Sequence, residues 1–315
     1  MKKYLDPKAD LTFKKVFGEH KDLVISFLNA MLPFGSEEEK IVSVEYLNPE
    51  LVPVNPLRKD SIVDVRCKDV RGRQFIVEMQ MMWTPEYKQR VLFNSSKAYV
   101  SQLGKSQHYE LLQPVYSLNL LNDTFSDSEE YYHDYQIVEM EETNEVIEGL
   151  RFIFIELPKF KPKSYGDKKM QVLWLRYLTE IDEDTREVSK ELLDNPEISK
   201  AVEELEKSAF TEEELLVYDR FWDMIGASRL LIIGAIRRGH EQGHKQGHEE
   251  GYLEGRQEGR QEGRREGRRE GRQEGITQGH QEERVKNARA MKSKGFQPDI
   301  ISEITGLPIS EIAGL

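Results

Sequence analysis

Two neighbouring stretches, residues 61–68 and 74–82, alternate apolar and polar side chains with the period of two that belongs to β-strands. In the first, Val63, Val65 and Cys67 fall on one side and Ile62, Asp64 and Arg66 on the other. In the second, Phe75, Val77 and Met79 make the apolar face, while Glu78 and Gln80 point the opposite way. The intervening residues 69–73 contain Gly72 and read as a turn. A hairpin centred on Arg71 sets Asp64 directly across from Glu78. Two carboxylates held face to face repel and destabilise a sheet unless something neutralises them. A divalent cation is the simplest neutralising partner, because hard cations take oxygen ligands. The plain alternative is a pair of solvent-facing strand acids.

These residues do not stand alone. Asp10, Phe13, Lys14, Phe17 and Gly18 come first, then Ser61 to Val65 around Asp64, then Val77-Glu78-Met79-Gln80. Lys88 and Arg90 follow, and then Glu156 to Phe160 with Lys159. In this order the set resembles the Rpn-type recombination-promoting nucleases, also called PD-(D/E)XK family transposases, over residues 3 to 160. The resemblance implies an α/β, restriction-endonuclease-like core in which a mixed central sheet is flanked by helices. It implies a metal-dependent DNA endonuclease of low sequence specificity that promotes recombination in a mobile-element or phage-defence setting. Asp64 and Glu78 would hold Mg²⁺, with Mn²⁺ able to substitute. Gln80 occupies the position of the superfamily's lysine, which orients the attacking water and stabilises charge on the phosphate. An amide can orient a water or donate to a phosphate oxygen, but it carries no charge. The alternative is therefore a catalytically weakened nuclease fold that serves as a DNA-binding or oligomeric regulatory module.

Arg90, Asn94 and Lys97 are spaced to share one face of a helix over residues 86–104. Arg90 or Lys97 could supply the missing cation, and ordinary surface charge is the competing reading. Asp10 reads both as a helix N-cap and, through the family match, as an acid near the site. Lys14, Arg66, Arg90 and Lys97 are the expected phosphate contacts, in a basic contribution that also includes Lys15, Arg58, Lys59, Arg71, Arg73 and Lys88.

The net charge of −12 argues against a uniformly basic nucleic-acid binder. Distribution matters more: residues 1–100 hold 16 Lys and Arg against 14 Asp and Glu, whereas residues 106–150 hold neither Lys nor Arg. That acidic stretch would repel phosphates, so a DNA path must avoid it. The single cysteine excludes a disulfide framework and points to a reducing, cytoplasmic compartment. Cys67, on the apolar face beside Val65, reads as a buried thiol. The polar residues 1–10 predict no signal peptide. The most apolar run, residues 224–236, is broken by Arg229 and too short to span a bilayer, so no membrane is expected. There is no Walker loop or Rossmann glycine pattern, hence no nucleotide cofactor.

Helices are expected over residues 11–17, 20–31, 172–178, 189–210 and 217–238, with further strands at 114–121 and 151–157. Residues 1–165 read as the nuclease-like core and 166–238 as a helical extension. Glycine then recurs at every fourth position from Gly239 to Gly279, eleven times, among Arg, Gln, Glu and His. Each interior glycine costs a helix about 1 kcal/mol relative to alanine. The period also stacks Arg256, Arg260, Arg264, Arg268 and Arg272 in one column and Glu254 to Glu274 in another, which disfavours an isolated helix. A flexible polar spacer over 239–280 is the better reading, with helix pairing into a homo-oligomer the alternative. His240, His244 and His248 follow the repeat and need no metal to explain them. Residues 281–315 suggest short helices in a helix-turn-helix-like arrangement, better suited to packing or partner binding than to groove reading.

Overall fold

The structure, a computed structural model, describes residues 3–51, 61–163 and 169–315. Arg58, Lys59 and the expected boundary at 165/166 lie outside the described residues. The chain divides into two compact units, residues 1–231 and 232–315.

In the first unit, helices α1 (Asp10–Glu19) and α2 (Lys21–Met31) are followed by strands β1 (Val44–Tyr46), β2 (Glu50–Leu51) and β3 (Ser61–Ile62). The hairpin β4 (Val65–Asp69) and β5 (Gln74–Gln80) comes next, then helix α3 (Tyr87–Val100). Strands β6 (Val115–Leu121), β7 (Tyr132–Val138) and β8 (Val146–Glu156) complete the sheets. Helices α4 (Met170–Glu180), α5 (Lys190–Leu193), α6 (Pro196–Glu203) and α7 (Glu212–Ser293) follow, α7 running on into the second unit.

Six strands form one sheet in the order β1-β4-β5-β6-β8-β7. The β5–β6 and β6–β8 pairs are parallel, and the outer pairs are antiparallel. A parallel pair requires a crossover, and α3 provides it between β5 and β6. The mixed sheet flanked by helices is the architecture expected from the resemblance. Strand parity sends Phe75, Val77, Val65 and Cys67 into the main core with α1, α2, α4 and α6, all fully or nearly fully buried. The opposite parity sends Ile76 toward Ala98 of α3, and Tyr87 and Val91 of α3 toward Leu121 and Phe154. The hairpin register is the expected one: Val65 pairs with Val77 and Cys67 with Phe75. The first stretch is not one strand, however. It breaks at Val63–Asp64 into β3 and β4, and β3 pairs with β2 in a separate two-stranded sheet.

Helix α1 starts one residue early, with Ala9 at the N-cap and no side-chain cap. The chain ahead of it is fixed by Asp6, whose carboxylate accepts from Lys8 N (2.8 Å) and whose carbonyl accepts from Ala9 N (3.2 Å) and Thr12 Oγ1 (2.5 Å). Asp10 therefore sits in the first turn, paired with Lys14 at 2.7 Å, and is not the cap. The expected helix at 189–210 is also interrupted. Asn195 caps a new helix by accepting from Ile198 N, with Pro196 at its first turn. The N-terminal part of α7 docks through Tyr218, which packs with Leu5, Ala9 and Phe210 and accepts a hydrogen bond from Asp6 N at 2.9 Å.

In the second unit α7 remains helical through the whole glycine repeat, where a flexible spacer was expected. Arg, Gln and Glu are good helix formers, and the unfavourable nucleation step is taken elsewhere. The C-terminal end of the helix is anchored where Ala288, Val285 and Met291 pack with Ile301 of α8 (Pro298–Thr305), with Leu307, and with Ile312 of α9 (Ile309–Gly314). No helix among the described residues is long and apolar enough to cross a membrane.

Candidate active site

Glu78 and Gln80 leave β5 on its α3-facing side, near the carboxyl ends of the parallel strands, where crevices of open α/β sheets lie. Asp64 stands one residue ahead of β4, and the hairpin register carried one step further sets it opposite Glu78. The two carboxylates line one cleft of about 880 Å³ together with Gln80, Thr84, Tyr87, Arg90, Phe93 and Asn94.

Each carboxylate is held by specific donors. Asp64 Oδ2 accepts from the backbone N–H of Met79 at 2.8 Å, which ties the end of β3 to β5. Glu78, only 6 % exposed, accepts from Asn94 Nδ2 at 3.1 Å, and Arg90 Nη2 approaches its other oxygen at 3.7 Å. Gln80 bridges outward: its Oε1 accepts from Arg90 Nη2 at 2.5 Å and its Nε2 donates to Met82 O at 2.6 Å. The Arg90 guanidinium also lies 4.7 Å from the centre of the Tyr87 ring. Behind the site the Tyr87 hydroxyl donates to Asn119 Oδ1 at 3.1 Å, and Asn119 in turn donates to Ser117 O and Ile153 O.

Burial raises the Asp64 pKa to about 6; the Met79 N–H works against that rise, and the nearby charge of Asp10 adds to it. Glu78 is pushed up to about 7, first by burial and then by repulsion from Asp64, with Arg90, Asn94 and Tyr87 opposing. Paired acids raised in one cleft signal a place built to receive positive charge.

Among the described residues no group of three or more His, Cys, Asp or Glu could hold a metal ion. Two carboxylates with waters and a phosphate nevertheless suit Mg²⁺, which keeps several waters and rarely takes a cage made of protein alone. The oxygen-only donors and their mutual repulsion fit such an ion.

Asp10 and Lys14 act on Asp64 through space, one raising and one lowering its pKa. Arg66 shares the face of Asp64 but does not line the cleft; it donates to Gln74 Oε1 at 2.9 Å and Asn48 O at 3.4 Å. Lys97 also stays out of the lining, donating to Leu51 O at 2.7 Å and Ser61 Oγ at 3.3 Å. The α3 face thus delivers Arg90 and Asn94 to the cleft and spends Lys97 on the β2–β3 sheet. Tyr87 and Asn119 were not expected at the site. Tyr87 reads as one member of an apolar helical stripe, and the only signal for Asn119 is a lone amide between Leu118 and Leu120.

A family model described as PD-(D/E)XK nuclease family transposase matches residues 7–224. The chain belongs to that family. The match spans every strand of the sheet and the cleft, and it carries a nuclease-like function connected with transposition or recombination. No curated protein and no solved structure matches the chain. Glu156, one of the residues that carry the sequence resemblance, lies outside the cleft lining: fully buried, it binds Lys159 at 2.6 Å and His133 at 2.8 Å and accepts the N–H groups of Phe125 and Ser126. Burial works against the charged form, yet Lys159, the two backbone donors and His133 together hold its pKa below the usual value.

Proposed function

We propose that this PD-(D/E)XK protein is a Mg²⁺-dependent DNA endonuclease of low sequence specificity that breaks phosphodiester bonds and promotes recombination in mobile-element or phage-defence settings. Asp64 and Glu78 are its metal ligands, Mn²⁺ can substitute, and Gln80 and Arg90 handle the phosphate. The observation that carries the reading is the pairing of two repelling carboxylates with a guanidinium anchored on Gln80, all in one cleft. A divalent cation held there polarises the scissile phosphate and lowers the pKa of a bound water. The chain's own residues prepare that chemistry. Met79 N–H sets the rotamer of Asp64, while Asn94 donates to Glu78 and Tyr87, tied to Asn119, stands behind it. Arg90, fixed by Gln80, brings to the cleft the charge that a lysine at position 80 would have carried. Lys14 adds a second cation within electrostatic reach of Asp64, and Asp10 tempers it.

Residues 1–165 serve as the nuclease core, 166–238 as a supporting helical layer, and the repeat with residues 281–315 as an accessory segment suited to homo-oligomer formation. The protein works in the cytoplasm. The test is nicking of supercoiled plasmid with and without Mg²⁺ or Mn²⁺, beside Asp64→Ala and Glu78→Ala. Metal-dependent nicking that both variants abolish is expected. No nicking with any divalent metal, or equal nicking by both variants, sinks the enzyme reading. DNA binding without cleavage would favour a weakened nuclease fold with a regulatory role.

A further inference from the structure

Directly beyond Gln80 the chain builds a surface that the carboxylate site does not use. The rings of Trp83 and Phe125 stack with centroids 4.8 Å apart and planes inclined by 27°. Lys88 Nζ lies 4.4 Å from the centre of Phe125, 5.1 Å from Tyr135 and 5.9 Å from Trp83. It touches the Tyr135 hydroxyl at 3.3 Å, and no ion pair joins it to a carboxylate among the described residues. Trp83 and Phe125 are half-buried and Tyr135 is 40 % exposed, so the cluster reaches solvent. Thr84 and Tyr87, on the segment that carries Trp83 and Lys88, line the cleft. The aromatic group therefore stands at the rim of the proposed active site.

Its rigidity is built in. Asp123 Oδ2 accepts from Trp83 N at 2.8 Å, and the buried Glu156 accepts from Phe125 N at 2.5 Å. Two carboxylates thus fix the backbones that carry the two stacked rings, and His133 and Lys159 fix one of those carboxylates. A rigid aromatic group beside an ammonium with no carboxylate partner among the described residues matches the two halves of a nucleotide, a flat base and a charged phosphate. In a continuous duplex the bases are stacked within the helix and cannot reach such rings. The exposed acids Asp127, Glu129 and Glu130, just beyond Phe125, would repel a second phosphate backbone.

We propose that Trp83, Phe125 and Lys88 form a subsite for an unpaired nucleotide beside the scissile phosphate, so that the protein selects single-stranded or gapped DNA over continuous duplex. This rests on the nuclease reading and narrows its substrate.

The test measures binding of the full-length chain in EDTA to one labelled oligonucleotide presented as a single strand, as a continuous duplex and as a gapped duplex, read by fluorescence anisotropy. The wild type should favour the single strand and the gapped form. Trp83→Leu should reduce that preference by about tenfold, the loss of one base–aromatic stack, while duplex binding holds. Trp83→Tyr should keep most of the preference. Lys88→Gln should weaken every form and lower the salt slope by about 1. Equal binding of all three DNAs by wild type overturns the proposal, as does an unchanged preference in Trp83→Leu or an unchanged affinity and salt slope in Lys88→Gln. Should Trp83→Leu lose its melting transition, Lys88→Gln decides: unchanged affinity for all three DNAs with an unchanged salt slope overturns the proposal. A wild type that nicks plasmid with Mg²⁺ but shows no preference removes the subsite alone. A wild type that neither binds nor nicks removes the nuclease reading with it.

Discussion

Gln80 is uncharged where the PD-(D/E)XK motif has its lysine, and Arg90 Nη2 lies 2.5 Å from its amide oxygen. If the guanidinium has taken over the lysine's role, Arg90→Ala should slow plasmid nicking on the order of 100-fold, the usual loss when one charge-stabilising donor is removed from a transition state. Gln80→Lys in the Arg90→Ala background should then recover part of that loss, because it returns a cation to the same spot. Strict additivity of the two substitutions would show that the groups do not share a task. The carboxylates make a separate prediction about stability. Both have folded-state pKa values above those of the unfolded chain, about 6 for Asp64 and about 7 for Glu78. The folded protein therefore binds more protons than the unfolded chain between about pH 4 and 7, and this contribution to stability is lost as pH rises through that window. In EDTA, Glu78→Gln should raise the melting temperature by several degrees at pH 8 and by much less at pH 5. No difference between the two pH values would show that the charge on Glu78 costs the fold nothing. Strand parity makes these acids legible in the sequence. The groups that orient them are not, because Tyr87 and Asn119 act through burial, and only the packing of α3 on the sheet brings them behind Glu78.

At the scale of elements, the glycine repeat is where local preference and the folded chain disagree. An added Cβ at Gly239, Gly255 or Gly267 would meet nothing within 4 Å, so tight packing is not the reason for glycine there. Replacing Gly255, Gly259, Gly263 and Gly267 by alanine should stabilise α7 by about 1 kcal/mol at each site. Amide hydrogen exchange across residues 250–275 would read this as slower exchange. Faster exchange or a loss of helical ellipticity would mean that the glycines face contacts absent from the chain alone. The repeat looks like a spacer because its columns of Arg and Glu repel and it has no apolar stripe. It is helical because both ends are anchored, by Tyr218 on one side and Ala288 on the other. Strand β7 escapes a sequence reading for a similar reason. Tyr132–Val138 carries no alternation, and its order comes from backbone pairing along β8. The β4–β5 register and strand β6, whose apolar patterns are local, are legible almost to the residue, while the break at Val63–Asp64 is not.

At the scale of the whole molecule, the hydrophobic clusters divide as the two units do. Four lie within residues 4–222, and the fifth lies within residues 285–315. The family match ends at residue 224, close to the last residue of the apolar cluster that Tyr218, Phe221 and Trp222 form with Leu5 and Ala9. Residues 1–231 should therefore unfold in one cooperative transition, and the cut should leave the cleft intact. Ending the chain at Thr211 should cost on the order of 3 kcal/mol, the scale of a lost buried aromatic, because Tyr218 no longer covers Leu5 or accepts from Asp6 N. Metal linkage supplies the control. An ion that binds only the folded state raises the melting temperature with its concentration. Mg²⁺ should thus stabilise residues 1–231 as much as the full chain, and Glu78→Ala should remove the effect in both. A Mg²⁺ shift present in the full chain but missing from residues 1–231 would place the ion's site in the C-terminal unit, away from Asp64 and Glu78.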